Sequence, residues 1–120
     1  MDATGQGPTV EDEMAALLGA LAHPARVALV ADLAGGEAST GALAAATGED
    51  PAELGRHLAA LEAAGAVLAS AGHGGARYRL ADPELGAACA SLRGVLTGRV
   101  ATARRLDEFV MPGPRPDRRA

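Results

Sequence analysis

Residues 37–80 read EASTGALAAATGEDPAELGRHLAALEAAGAVLASAGHGGARYRL, and their punctuation marks a short helix, a tight turn, a second helix and a two-stranded ribbon. Ser39 stands at an N-cap position, where its hydroxyl oxygen can accept from the orphan amide N–H groups of a first helical turn. The helix that follows, near 39–47, carries Leu43 inward and stops at Gly48, a residue free to take the left-handed conformation of a helix end. Asp50-Pro51-Ala52-Glu53 starts the next helix, over 50–64. Asp50 is its N-cap, Pro51 takes the first helical position, and Glu53 three residues on completes a capping-box pattern. Leu54, Leu58 and Leu61 recur there at i, i+4 and i+7, a single apolar stripe of helical period. Arg56 lies off that stripe and His57 beside it.

Gly65 ends this helix, and a hairpin is predicted over about 66–80. Val67 and Leu68 begin one strand, Gly72-His73-Gly74-Gly75 turns the chain, and Ala76-Arg77-Tyr78-Arg79-Leu80 returns. Alternation puts Arg77 and Arg79 on one face of the returning strand, Tyr78 and Leu80 on the other. Helix, turn, helix, hairpin is the order of a winged helix-turn-helix, whose second helix enters the DNA major groove.

Upstream, residues 1–10 hold Gly, Pro and Thr without periodicity and read as an N-terminal tail. Glu11-Asp12-Glu13 then places negative charge on the first turn of a helix near 11–22, where the macrodipole favours it. Met14, Leu17, Leu18 and Leu21 are its expected buried stripe. Pro24 opens a helix near 24–34, with Val27, Val30 and Leu33 inward and Gly35-Gly36 closing it. Downstream, Asp82-Pro83 opens a long last helix over 83–109. Leu85, Cys89, Leu92, Leu96, Ala103, Leu106 and Val110 follow spacings of four and three, with Arg99 filling the slot between Leu96 and Ala103. No later element could cover that stripe, so it points to a partner chain. Pro112, Pro114 and Pro116 stop the helix, and 111–120 reads as a disordered, locally basic tail. The mostly helical winged domain therefore occupies 11–110, between the two tails.

Composition narrows the class. One domain of 120 residues with 48% hydrophobic content, one Phe, one Tyr and no Trp must build its core from Ala, Leu and Val. No run of about 18 apolar residues suggests a membrane span. The acidic start MDATGQGPTVEDE lacks a signal pattern, so the expected location is the cytoplasm. A single cysteine excludes an intramolecular disulfide framework. The formal charge is −4, and the 37–80 stretch holds five acids against three arginines, which argues against tight non-specific binding to nucleic acid. Specific contact depends instead on where the few arginines point. The chain has no lysine, no G-x-S-x-G and no Cys-His pair close in sequence, so no catalytic constellation is formed. An enzyme is not expected.

The runs LAHPARVALVADL at 21–33, GALAAATG at 41–48, LGRHLAALEAAGAV at 54–67 and ARYRLADPEL at 76–85 together resemble the ArsR/SmtB family of small dimeric bacterial repressors. The resemblance spans Ala20 to about Leu96, roughly two thirds of the chain. It implies a homodimer held by the first and last helices, with Met14, Leu17, Leu18, Leu85, Cys89, Leu92, Leu96 and Leu106 in the interface. It also implies double-stranded DNA as partner. Carried over residue by residue, the groove or phosphate positions of the second helix are Pro51, Ala52, Glu53, Gly55, Arg56 and His57. Ser39 and Thr40 belong to the preceding helix start, and His73, Arg77 and Arg79 to the wing. Only Arg56 and His57 keep the family's residue types. Against these readings stand plainer ones: Glu53 as a cap, His57 packed against the wing, and Arg77 and Arg79 on a solvated strand face.

Metal sensing is common in that family, yet its usual donors are missing. Ser39 and Gly41 stand at the positions of one family site's two cysteines, and 81–120 contains no histidine to form the last-helix site. A transition-metal site using His23, acidic N-terminal residues or a partner chain is the arrangement left open. Cys89 reads either as a small buried hydrophobe or as a redox sensor. The function expected is a homodimeric repressor on a palindromic operator, open to a metal or redox signal. The alternative is a winged-helix interaction module or co-regulator whose groove face has turned acidic, with a protein rather than DNA as partner.

Overall fold

The computed structural model describes residues 7–109. Among these, five helices and three strands follow in the order α1 (Val10–Ala20), α2 (Pro24–Leu33), β1 (Ala38–Ser39), α3 (Thr40–Thr47), α4 (Pro51–Ala63), β2 (Val67–Gly72), β3 (Gly75–Leu80) and α5 (Pro83–Phe109). This is a winged helix-turn-helix. Residues up to Cys89 make one compact unit, and α5 from Ala90 onward belongs to a second. The parts of the two expected tails in 1–6 and 110–120, with Val110 and the three prolines, lie outside the described residues.

The helix starts are chemically specified. Thr9 caps α1 and forms a reciprocal box with Asp12, each side chain accepting from the other's backbone N–H at 3.0 Å. The ordered helix thus begins at Val10, inside the span expected to be tail. Hydrogen bonding from the Thr9 backbone N–H, and next from the Thr9 side chain, holds the Asp12 carboxyl below its usual range. Ser39 accepts from Ala42 N–H at 3.1 Å to cap α3, and Gly48 ends it at φ 76°. Asp50 caps α4 by accepting from Glu53 N–H at 3.0 Å. The full capping box expected there is not formed, because the Glu53 carboxylate turns toward Arg56 instead.

The core is aliphatic. Leu29, Val30 and Leu33 of α2, Leu43 of α3, and Leu54, Leu58 and Leu61 of α4 are buried, with Ala66, Val67 and Leu80 closing it from the hairpin. Two sequence expectations need correction here. Val27 is exposed and Leu29 takes its place inside, since adjacent Leu29 and Val30 straddle the buried face of α2. On α1 the stripe is not buried: Leu17 and Leu21 pack partly on the core, while Val10, Met14 and Leu18 are exposed.

The ribbon is three-stranded. Strand order is β1-β3-β2, all antiparallel, with Ala38 opposite Tyr78 and Ser39 opposite Arg77. Two residues carry no alternation to read, so β1 gave no signal in the sequence. It forms because the outer edge of β3 offers unpaired N–H and C=O groups to the chain entering α3. The hairpin register pairs Gly72 with Gly75 and leaves His73-Gly74 at the tip. No single helix among the described residues is long and apolar enough to cross a membrane.

Gly86 sets how closely α5 approaches the core. A Cβ there would lie 2.9 Å from Ala34 Cβ and 3.1 Å from Leu80 Cδ1. Alanine is otherwise the better helix former by about 1 kcal/mol, but overpacking costs about 1–3 kcal/mol. Gly86→Ala is therefore expected to destabilise by about 1 kcal/mol rather than stabilise, read as a lowered midpoint in thermal unfolding. Gly94→Ala, where a Cβ meets nothing within 4 Å, is the matched control and should not lower it.

Candidate nucleic-acid interface

The three leucines of α4 fix its rotation. With Leu54, Leu58 and Leu61 buried, Pro51, Ala52, Gly55 and Arg56 face outward at the helix's N-terminal half, and Glu53 is half-buried between. Arg56 Nη2 donates to Glu53 Oε2 one turn back. The hydrogen bond and charge of Arg56 hold the Glu53 carboxyl below its usual range, and Glu53 in turn raises the guanidinium. Both side chains reach water, 66% exposed for Arg56 and 45% for Glu53. Such a pair is weak. A phosphate or base edge can replace the carboxylate on Arg56 at small cost.

His57 is placed differently from its neighbour. Its side chain is 12% exposed. Arg26 Nε donates to His57 Nδ1 at 3.1 Å, and Arg26 Nη1 donates to the carbonyl of Ala20 at 3.1 Å. On the other side of the ring, Nε2 lies 3.9 Å from Glu49 Oε1, too far for a hydrogen bond. The exposed His23, N-cap residue of α2, lies with its ring centroid 5.7 Å from that of His57. The hydrogen-bond donor to this histidine thus comes from α2, and its ring is largely withdrawn from water. Arg26 was not singled out from the sequence. Its position two residues after the helix-opening Pro24 gave no sign of a partner 31 residues away.

The wing is tied to the helix pair by its own contacts. Thr40 Oγ1 donates to the carbonyl of Ala76 at 3.3 Å, so this hydroxyl is engaged by the hairpin. Ser39 Oγ is engaged by its cap. Tyr78 is half-buried and Leu80 buried on one face of β3, as alternation required. On the opposite face Arg77 Nε donates to Glu37 Oε2 at 2.6 Å, while Arg79 is exposed and has no hydrogen-bond or ion-pair partner among the described residues. His73 stands exposed at the tip, where Gly74 takes φ 86° to close the turn. The structure thus groups Pro51, Ala52, Gly55 and Arg56 on one helix face, and places Arg79 and His73 on the wing.

Residues 21–68 match the family model described as a helix-turn-helix domain. No curated protein matches the chain by sequence. Among solved structures, the transcriptional repressor BigR from Xylella fastidiosa is 30% identical, with 71% of this chain and 87% of that one aligned at a TM-score of 0.66. The chain belongs to the ArsR/SmtB family. Another relative is the homodimeric winged helix-turn-helix DNA-binding domain of Mb0332 from Mycobacterium bovis, described as a possible ArsR-family transcriptional regulator. It is 28% identical over 80% of this chain and 92% of that one, with a TM-score of 0.70. The cadmium sensor CMTR from Mycobacterium tuberculosis is 36% identical over 65% and 81%, with a TM-score of 0.57.

The family's thiolate-pair site does not fit this ArsR/SmtB member. Ser39 and Gly41 replace the two thiolates, and the Ser39 hydroxyl caps α3. Among the described residues no three His, Cys, Asp or Glu side chains are gathered to hold a metal ion, and His23 joins no carboxylate cluster. Cys89 is half-buried against the core on α5.

Proposed function

We propose that this ArsR/SmtB protein is a transcription repressor that binds a two-fold-symmetric operator as a homodimer. The N-terminal half of α4 enters the major groove and Arg79 lies along the phosphate backbone. The observation that carries this reading is the division of α4 into a leucine face locked in the core and an outward face led by Arg56. Homodimerisation is supported by the homodimeric relative Mb0332. It is also supported by exposed apolar side chains on α1 (Val10, Met14, Leu18) and on α5 (Leu92, Val95, Leu96). Of the other residues expected there, Leu17, Leu85 and Cys89 are partly buried on the core, and the Leu106 side chain lies outside the described residues.

A second reading has a specific observation in its favour: Arg56 and Arg77 are both neutralised by neighbouring glutamates in a chain of net charge −4. An interaction module that has lost DNA binding would look like this. Titration of labelled promoter DNA at several salt concentrations separates the two. The repressor should bind saturably, with log affinity falling by a few units per decade of salt. Arg56→Ala should weaken binding about tenfold, within the 1–3 kcal/mol expected of a lost arginine contact at a base edge. An interaction module would give no sequence-selective binding, and Arg56→Ala would then be silent.

A further inference from the structure

We propose that Arg26 and His57 form a latch that positions the recognition helix, so that His57 serves operator binding through Arg26 rather than by touching DNA. The proposal rests on the DNA-binding reading above and assigns that site a residue outside its exposed face. A guanidinium is always protonated and only donates. Arg26 Nε at 3.1 Å from His57 Nδ1 therefore requires an unprotonated Nδ1, which fixes the ring as the tautomer carrying its proton on Nε2. The same guanidinium donates through Nη1 to the carbonyl of Ala20, the last residue of α1.

One side chain on α2 thereby joins the C-terminal end of α1 to the middle of α4. The charged or titratable groups around the ring are Arg26 and His23 on or at the start of α2, Glu49 in the turn between α3 and α4, and Glu53 one turn back on α4 itself. The ring is mostly buried and its Nδ1 is engaged, so it is poorly placed to reach a base, whereas Arg56 beside it is 66% exposed. Loss of the latch lets α4 tilt on its leucines. A displacement of about 1 Å at a recognition surface is enough to misplace contacts made by the outward face.

The test uses the full chain and labelled operator DNA. Asparagine places its Oδ1 where the imidazole has Nδ1, so His57→Asn keeps the acceptor for Arg26 and removes Nε2. His57→Ala removes both. Arg26→Ala and His57→Ala are each expected to weaken operator binding about tenfold. The double variant should be no weaker than either single one, because the two act as a unit. His57→Asn should restore most of the affinity. The salt dependence should stay that of the wild type in Arg26→Ala, whereas loss of a phosphate contact would lower its slope by about one. If His57→Asn is as weak as His57→Ala, or if Arg26→Ala shallows the salt slope, the residues contact DNA directly and the latch is overturned.

A DNA-free measurement distinguishes failure of the latch from failure of the DNA-binding reading. Nitrogen-15 spectra of the histidine rings should show His57 as the Nε2–H tautomer, with that signature lost in Arg26→Ala. A wild-type protein that shows this signature but binds no operator would refute the function while leaving the contact intact. A ring exchanging freely between tautomers would overturn the latch whatever the DNA result.

Discussion

Replacing Leu58 by alanine is expected to lower the unfolding free energy by about 2–5 kcal/mol, the range for a buried leucine whose cavity only partly collapses. Leu58 is 1% exposed and sits between Leu54 and Leu61, both fully buried, on the face that anchors α4. The fully buried cluster is built from leucine, valine and alanine alone, and Tyr78 packs only partly against it, so little is at hand to fill the space. A domain of this size has about 5–15 kcal/mol of total stability, so one methyl-bearing side chain carries a large fraction of it. Urea unfolding at one fixed protein concentration, which keeps any oligomer contribution constant, would show a lower midpoint at unchanged slope. Leu68→Ala, on the outward side of β2 with Leu68 41% exposed, should cost less than about 1 kcal/mol. Equal losses at the two positions would mean that the rotation assigned to α4 is wrong, and with it the face offered to DNA.

That rotation was legible in the sequence because three leucines at helical spacing leave one solution. The caps were legible for the same reason: Ser39 and Asp50 precede apolar-periodic runs, and each accepts from the amide three residues on. What the sequence hid were contacts between residues far apart in the chain. Glu37 meets Arg77 across forty positions, and Arg26 meets His57 across thirty-one. Neither pair leaves a local pattern, because an arginine at a half-buried position looks the same in a sequence as one in water. The family resemblance placed Arg56 and His57 together in the groove. Adjacent residues on a helix point about 100° apart, and here that turn carries one side chain into solvent and the other toward α2. Glu53 shows a similar ambiguity. Its spacing from Asp50 suits a capping box, but its spacing from Arg56 suits an i,i+3 ion pair, and the stronger charge–charge partner holds it.

The exposed apolar residues of α5 give the largest functional effect. Leu92, Val95 and Leu96 are 56%, 53% and 50% exposed, and a helix that presents three such side chains within two turns normally covers them. Leu92→Glu is a clean probe of the partner proposed for them. Glutamate matches leucine closely in helix propensity, and at a solvent-exposed position it should leave the stability of the single chain within about 0.5 kcal/mol. In a homodimer it would instead bury a carboxylate opposite apolar side chains, on both subunits at once. A buried, unpaired charge costs several kcal/mol, enough to shift a micromolar dimer to monomer in sedimentation experiments. Operator binding should fall with it. Two linked reading heads on adjacent half-sites gain about 10²–10⁴-fold over one, and a monomer forfeits that factor. The expected result is therefore a folded monomer with far-ultraviolet circular dichroism like the wild type and operator affinity weaker by about a hundredfold or more. A variant that remains dimeric and binds as before would place the interface away from Leu92, leaving Val10, Met14 and Leu18 of α1 as the surface that joins the subunits.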